Sequence, residues 1–169
     1  GSCLPKDMKA LKTIAHDFYI DTPVLNSIEP SNASVKNYLF DHIMSKGKIK
    51  IGVMGISFKA GTDDLRYSPI VDVIEKLLGK GFEVKVFDHN VHFSKLIGKN
   101  KSYIQEYLPH LNTILYDNMQ EVADWADLII ITNKDDKYAD LKIDESKTII
   151  DLVRYSRFMD KENYEGLLW

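Results

Sequence analysis

The chain has 169 residues, 44% of them hydrophobic and 28% charged, which are the proportions of about one soluble globular domain. Its 22 basic and 25 acidic side chains give a net charge of −3, which argues against a nonspecific binder of nucleic acid or of an anionic membrane. The longest aliphatic run, Leu128 to Ile131, is far shorter than the roughly 20 residues of a membrane-spanning helix, and no export signal is recognisable.

The sequence contains one cysteine, Cys3, which cannot form a disulfide within the chain. Because free thiols are typical of reducing compartments, we expect a cytoplasmic protein. The sequence begins Gly1-Ser2-Cys3 without an initiator methionine, which predicts either processing or a piece excised from a longer protein.

The first part of the sequence carries helical patterns. Apolar residues at spacings of three and four predict a helix over about 5–18. A second helical stretch follows the start signal Asp21-Thr22-Pro23, and Pro30 is expected to kink or split it because proline has no N–H to donate to the preceding turn. Gly47 stands where a helix C-cap is expected.

Short apolar strands alternate with helices from residue 48 onward. A strand over 50–56, a helix that starts at Ser68-Pro69, and a strand over 82–87 form a βαβ unit, which implies parallel pairing. Three more strands are predicted over 113–116, 128–132 and 148–153, and one more helix over 119–126. We therefore predict that residues 1–47 belong to a helical domain and that 48–169 form an α/β domain with a Rossmann-like, doubly wound parallel sheet.

Ligands of such sheets lie outside the carboxyl ends of the strands, and the loop after the first strand is the first candidate site. This loop, Gly55 to Arg66, reads G-I-S-F-K-A-G-T-D-D-L-R. Helix N–H groups, with Lys59 as a point charge, would stabilise a phosphate there. The dinucleotide pattern G-x-G-x-x-G and the Walker pattern are both absent, so an ordinary turn between a strand and a helix remains the alternative.

Cys3 is a candidate nucleophile, because Pro5 predicts that a helix begins beside it and a helix N-terminus stabilises a thiolate. Asp7 lies about one turn further along the same face. Since a neighbouring carboxylate disfavours a thiolate, Asp7 is better suited to positioning water or accepting a proton. A terminal thiol without chemistry is the alternative interpretation.

Other candidates are weaker. His89 and His92, beside Asp88, have a spacing that resembles a metal site, but without a second ligand cluster a solvated loop is the better interpretation, and we predict no metal. Asp88 stands where dinucleotide-binding domains hold a ribose hydroxyl, an analogy weakened by the missing fingerprint. Tyr103 and Tyr107 are interpreted as core or surface residues rather than as a stacking platform.

Two motifs together resemble one protein family. The segment Gly1-Ser2-Cys3-Leu4-Pro5-Lys6-Asp7 is followed further along by Phe58-Lys59-Ala60-Gly61-Thr62-Asp63-Asp64-Leu65-Arg66 and then by Ser68-Pro69. This pair, in this order, resembles the UDP-glucose/GDP-mannose dehydrogenase family, and the resemblance covers the whole chain. The stretches L-L-G-K-G-F, F-D-H-N-V, Asp151-Leu152-Val153 and Gly166-Leu167-Leu168-Trp169 are most similar to the branch that acts on GDP-mannose.

The resemblance implies a four-electron oxidation of C6 of GDP-mannose, or of another sugar nucleotide, to a carboxylate with two NAD molecules. Cys3 is then the nucleophile that captures the aldehyde as a thiohemiacetal, which becomes a thioester, and Asp7 assists its hydrolysis. Phe58 and Lys59 would hold the sugar nucleotide, and Arg66 would reach towards NAD. The likeness also implies a role in polysaccharide biosynthesis and a homodimer built on a helix at about 22–46.

The sequence departs from the family pattern in places. UDP-sugar members carry Asp-x-Arg-Asn after the last strand, whereas Arg154 here stands one place later, and Tyr67 replaces a usual glutamate. The family's NAD fingerprint is not in these residues, so we expect a C-terminal fragment that binds a nucleotide weakly and does not turn over. A UDP-sugar dehydrogenase of the same family and a non-catalytic nucleotide-binding module remain alternatives.

Overall fold

The computed structural model describes residues 3–92, 96 and 98–168, in which strands and helices alternate after an initial pair of helices. The α-helices are α1 (Cys3–Asp17), α2 (Pro23–Ser45), α3 (Pro69–Gly79), α4 (Gly98–Tyr107), α5 (Leu111–Ile114) and α6 (Met119–Trp125). The strands are β1 (Lys50–Met54), β2 (Glu83–Phe87), β3 (Leu115–Tyr116), β4 (Leu128–Ile131), β5 (Thr148–Asp151) and β6 (Tyr164–Gly166). Short 3-10 helices cover Asp136–Asp140 and Ser156–Phe158.

The strands form one six-stranded sheet in the order β3-β2-β1-β4-β5-β6, and each neighbouring pair is parallel. This is the strand order of dinucleotide-binding folds, in which the order reverses between β1 and β4. At the centre of the sheet Val53 lies between Val86 and Ile130, and all three residues are fully buried. The prediction of a Rossmann-like, doubly wound α/β sheet is therefore confirmed.

Helices cover both faces of the sheet, because its central strands are apolar on both sides. One core lies between the sheet and helices α2 to α5, and it includes Leu77 and Ile130. The other core lies between the opposite face and α6 with both 3-10 helices, and it includes Ile129 and Phe158. The alternation of neighbouring β4 residues between the two cores is the two-residue period of a buried strand.

The second helix joins the helical part to the sheet. Leu39 and Ile43 of α2 enter the same core as α3. On the edge strand β6, the Glu165 carboxylate accepts hydrogen bonds from His42 Nε2 at 2.9 Å and from Lys46 Nζ at 2.5 Å. The last turns of α2 are therefore fixed to the α/β part by both apolar and charged contacts.

The first helix contributes little to either core. Ala15 is its one buried residue among those described, whereas Leu11, Ile14 and Phe18 of the predicted apolar stripe are at least half exposed. Among the described residues, no helix is both long enough and apolar enough to cross a bilayer.

Three elements differ from the sequence predictions. The helix α2 runs unbroken from Pro23 to Ser45, so a split at Pro30 is wrong; one missing N–H leaves the hydrogen bonds on either side intact. The segment predicted as a strand over 113–116 is helix α5 as far as Ile114, and two residues remain to pair with β2. Strand β6 has the sequence Tyr-Glu-Gly, in which the apolar pattern gives no sign of a strand.

Candidate functional site

The loop after β1 is held by a buried carboxylate at the end of β2. Asp88 Oδ2 accepts hydrogen bonds from the backbone N–H groups of Ile56 (2.8 Å) and Ser57 (2.9 Å) and from the Ser57 hydroxyl (2.8 Å). Its Oδ1 accepts from the backbone N–H of Asn90 at 3.0 Å. Asp88 is 3% exposed, so the protein itself supplies the donors that a buried charge requires.

A chain of buried polar side chains extends from this carboxylate to the end of β4. The Tyr138 hydroxyl donates to Asn133 Oδ1 at 2.9 Å, and Asn133 Nδ2 donates to Ser57 Oγ at 3.3 Å. Burial, with the nearby Asp88 charge, raises the pKa of Tyr138 above its ordinary value. The carboxyl ends of β1, β2 and β4 are thereby tied together.

This arrangement decides how the first loop can meet a dinucleotide. In dinucleotide-binding folds the N–H groups of this loop face the pyrophosphate, and a carboxylate after β2 binds the ribose. Here Asp88 already accepts from the amides of Ile56 and Ser57, and no glycine fingerprint opens the loop. These residues therefore do not fit an NAD pyrophosphate at this loop, and Asp88 does not have the ribose-binding geometry considered from the sequence.

The tip of the loop exposes Phe58 and Lys59. The backbone N–H of Phe58 donates to the carbonyl of Asp64 at 2.9 Å, which closes the loop on itself. Both side chains are exposed, and within the described part of the chain Lys59 forms no salt bridge. Lys59, the cation predicted to pair with a phosphate, is therefore presented to solvent. It lies well before the N-terminus of α3, which begins at Pro69.

The arginine of the loop is held by its own neighbour. Arg66 Nε and Nη2 donate to the two carboxylate oxygens of Asp64 at 2.9 and 2.8 Å. The hydrogen bond to Arg66 holds the pKa of Asp64 below its usual value, and the same contact raises the pKa of Arg66.

Cys3 and Arg66 line one cavity of about 480 Å³, which we call the Cys3 cavity. Cys3 is exposed and is the first residue of α1 that the structure describes. The remaining lining residues come from α1, from the residue after Arg66 and from α4: they are Lys6, Tyr67, Ser102, Tyr103, Glu106 and Tyr107. The structure thus brings a thiol, a guanidinium and three tyrosines to one place.

Sequence reasoning missed the aromatic wall of this cavity. Tyr103 and Tyr107 stack with ring centroids 4.5 Å apart, and Tyr67 lies 5.7 Å from Tyr103. Tyr67 adopts a φ of +57°, a left-handed conformation that is unusual for a bulky side chain. The spacing of four between Tyr103 and Tyr107 on a helix was the signal that could have paired them.

The other predicted site residues are not among the described residues that line this cavity. Asp7 is exposed on α1 and pairs with Lys6 at 3.5 Å. Phe58 and Lys59 are not among the described residues that line the Cys3 cavity. Beyond β5, Arg154 has a φ of +55° in a tight loop.

A second cavity, of about 310 Å³, opens beyond the ends of β2 and β3. It contains His89, whose Nδ1 lies 3.1 Å from Lys137 Nζ, and His92, whose Nδ1 lies 3.7 Å from Asp117. Within the described ranges, no group of three or more histidine, cysteine, aspartate or glutamate side chains is placed to hold a metal ion.

Comparison with known proteins identifies the family. A sequence model described as "UDP-glucose/GDP-mannose dehydrogenase family, UDP binding domain" matches residues 52–163, more than half of the chain. The chain belongs to this family. The prediction made from the Cys3 and Phe58-to-Arg66 motifs is therefore confirmed.

The relatives extend well beyond the part matched here. The GDP-mannose 6-dehydrogenase of Pseudomonas syringae pv. tomato is 42% identical over all of this chain and 40% of its own length. A crystal structure of a ternary complex of GDP-mannose dehydrogenase from Pseudomonas aeruginosa has a TM-score of 0.89 at 40% identity, covering all of this chain and 39% of that one. A UDP-glucose dehydrogenase from Pyrobaculum islandicum, 24% identical, shares the fold with a TM-score of 0.81 over all of this chain and 38% of its own. The chain spans about 40% of the length of the curated relative it matches.

Proposed function

We propose that this chain is the part of an NAD-dependent GDP-mannose 6-dehydrogenase that carries the catalytic cysteine and binds the sugar nucleotide. In this proposal residues 1–47 belong to a helical dimerisation domain and residues 48–169 are the sugar-nucleotide domain of a cytoplasmic homodimer. The observation that carries it is the placing of Cys3 and Arg66 in one cavity, in a chain similar to GDP-mannose 6-dehydrogenases.

The proposed chemistry uses the Cys3 thiolate. After the C6 alcohol has lost a proton and a hydride, the sulfur adds to the aldehyde carbon and the oxygen is protonated, which gives a thiohemiacetal. Loss of a second hydride from the same carbon, together with the proton of its hydroxyl, gives a thioester. Water then displaces the thiol and leaves the carboxylate, with Asp7 orienting the water or accepting its proton. Two NAD molecules, held chiefly by residues outside this chain, would each accept one of the hydrides.

The charged residues have distinct proposed roles. Lys59 is exposed on the loop tip and would pair with the diphosphate as a point charge, beside the ring of Phe58. Arg66 is held rigidly by Asp64, so its guanidinium is oriented before any ligand arrives. We assign this guanidinium to a contact with NAD held by the rest of the protein.

Nucleotide binding by this chain tests the substrate. GDP-mannose and GDP should raise its melting temperature, and UDP-glucose and UDP should not. Lys59→Ala should weaken GDP binding about tenfold, whereas Lys80→Ala should not, because Lys80 is an exposed lysine at the opposite, amino end of the strands. Stabilisation by the UDP compounds alone would instead favour a UDP-sugar dehydrogenase, the alternative suggested by the description of the domain as UDP binding.

The cysteine is tested in the longer protein that contains this chain. Cys3→Ser should lower NADH formation from GDP-mannose by about 100-fold or more while GDP-mannose binding stays within a factor of about three. The isolated chain should form no NADH. Unchanged turnover in Cys3→Ser would contradict the covalent mechanism, and turnover by the isolated chain would contradict the division of the active site. Nucleotide binding without any effect of Cys3 would favour a non-catalytic module.

A further inference from the structure

We propose that Asp88 is a positioning residue for the sugar-nucleotide loop: it takes the place of a bound anion at the amides after β1 and so fixes the tip that carries Phe58 and Lys59. The inference rests on the proposed function, because that function assigns the loop tip to the sugar nucleotide. It adds a residue that touches no substrate and acts through the loop.

The first step is the convergence of donors on one oxygen. The N–H groups of Ile56 and Ser57 and the Ser57 hydroxyl all lie within 2.9 Å of Asp88 Oδ2. Successive backbone N–H groups that point at one spot form an anion-binding concavity. Hydrogen bonds from such groups to a carboxylate are about twice as strong as those between neutral groups. Asp88 therefore fills this concavity in the folded chain.

The second step is the direction of the hydrogen bonds behind the loop. Tyr138 donates to Asn133, Asn133 donates to Ser57, and Ser57 donates to Asp88. All four residues are buried, and the chain of donors ends on the carboxylate. A hydroxyl has one proton, and the Ser57 contact to Asp88 at 2.8 Å is shorter than its contact to the Lys59 carbonyl at 3.0 Å. Asp88 thus sets the direction of this series of hydrogen bonds from Tyr138 through Asn133 and Ser57.

The third step links this anchor to the exposed tip. Phe58 and Lys59 directly follow the two anchored amides, and the Ser57 hydroxyl also lies against the Lys59 carbonyl. Since those amides are occupied, they are not available to a phosphate, and Lys59 is the group that the loop tip offers to one. A tip held from behind loses less conformational freedom when a nucleotide binds, which favours affinity.

Removing the carboxylate and restoring it with a small anion tests this role. Asp88→Ala should speed hydrogen exchange of the amides at 56–59 about tenfold and raise the GDP dissociation constant about tenfold. Added formate should reverse both changes, because it supplies carboxylate oxygens to the emptied concavity. Asp88→Asn keeps the volume and one acceptor oxygen, so it should lie between the wild type and Asp88→Ala and covers the case in which the alanine variant does not fold.

A matched variant separates positioning from general destabilisation. Val84→Ala removes buried apolar surface from β2, the strand that Asp88 follows, at a position that pairs with Ile51 near the amino end of β1, so it should lower the melting temperature and leave both readouts within about twofold. Equal changes in Val84→Ala and Asp88→Ala would overturn the proposal. The proposal would also be overturned if the loop exchange and GDP affinity of Asp88→Ala stayed within about twofold of the wild type. Tighter GDP binding by Asp88→Ala would overturn it too, because the freed amides would then be a phosphate site.

The two readouts also separate this inference from the proposed function. If the wild-type chain bound neither GDP nor GDP-mannose, the nucleotide role of the loop would be refuted. Faster loop exchange in Asp88→Ala, reversed by formate, would still establish the anchor. Normal GDP binding with unaffected loop exchange in Asp88→Ala would refute the anchor alone.

Discussion

A methyl group at Gly55 should disrupt the anchored loop, and the contacts around Gly55 determine how much stability is lost. Gly55 has a φ of +96°, where side chains are strained, and its backbone is held on both sides: its N–H donates to Phe87 at 2.7 Å and its carbonyl accepts from Thr132 at 2.7 Å. A Cβ there would lie 2.5–2.6 Å from the three end atoms of Asn133. Because Asn133 is buried and hydrogen-bonded to Ser57 and Tyr138, it cannot move without losing those bonds.

The expected cost of Gly55→Ala has two parts. Backbone strain costs about 1–3 kcal/mol, and the broken buried hydrogen bonds cost about 1–3 kcal/mol more, so unfolding should become easier by roughly 2–6 kcal/mol. Gly61→Ala is the matched control, because Gly61 lies in the same loop with a φ of +78° but a Cβ there would meet nothing within 4 Å. It should cost only the strain, about 1–3 kcal/mol.

Urea denaturation of both variants measures the difference directly. A double variant sharpens the test: in an Asn133→Ala background the cost of Gly55→Ala should fall to that of Gly61→Ala, which corresponds to a coupling energy of about 1–3 kcal/mol. Two results would refute the reasoning. One is equal destabilisation by Gly55→Ala and Gly61→Ala, within about 0.5 kcal/mol, and the other is a cost at Gly55 that does not depend on Asn133.

Two further predictions concern pH. Burial raises the pKa of Glu165, but hydrogen bonds and charge pairing with Lys46 and His42 outweigh burial and lower this pKa overall. The contribution of Glu165 to stability should therefore be complete above the ordinary carboxyl pKa and should fade as the pH drops through the lower, folded-state value. Glu165→Gln should remove that acid-side loss of stability in unfolding curves, and an unchanged pH profile would contradict it. In an alkaline absorbance titration, Tyr138 and Tyr164 should ionise only when the protein unfolds, because burial raises the pKa of both. Tyr138→Phe and Tyr164→Phe should each remove part of this late absorbance change, which assigns that part to the replaced residue. Complete titration of all tyrosines in the folded protein would refute the prediction.

The sheet could be predicted because its central strands are apolar on both faces. Leu128–Ile131 is a run of four buried aliphatic residues, and the glycine and Ser-Pro signals around α3 mark its ends. The edge strand β3 was predicted two residues too long, and β6 carries no such signal, since an edge strand of two or three residues needs no apolar period. Pairing with a neighbouring strand determines where these edge strands form, and such pairing is a tertiary effect.

The candidate site was predictable only in part, for a similar reason. The loop from Gly55 to Arg66 and the cysteine could be found from local motifs and a family resemblance. The contact between Ser57 and Asp88 joins residues 31 positions apart, and the wall of Tyr67, Tyr103 and Tyr107 joins a loop to a helix. Helical spacing can pair Tyr103 with Tyr107, but no spacing rule brings Tyr67 to them or Asp88 to Ser57, because parallel topology and helix docking determine those contacts.

Strand order and loop chemistry therefore give different information about function in this chain. The sheet has the order of a dinucleotide-binding fold, which alone would suggest a pyrophosphate at the first loop. Yet two carboxylates at strand ends take up backbone amides of the loops: Asp88 holds those of Ile56 and Ser57, and Asp151 accepts from Val153 at 2.8 Å and from Tyr155 at 2.5 Å. These four amides are therefore not available to the charge of a ligand. A sheet built in this way agrees with the proposed function, in which Lys59 meets the diphosphate of the sugar nucleotide and Arg66 meets NAD.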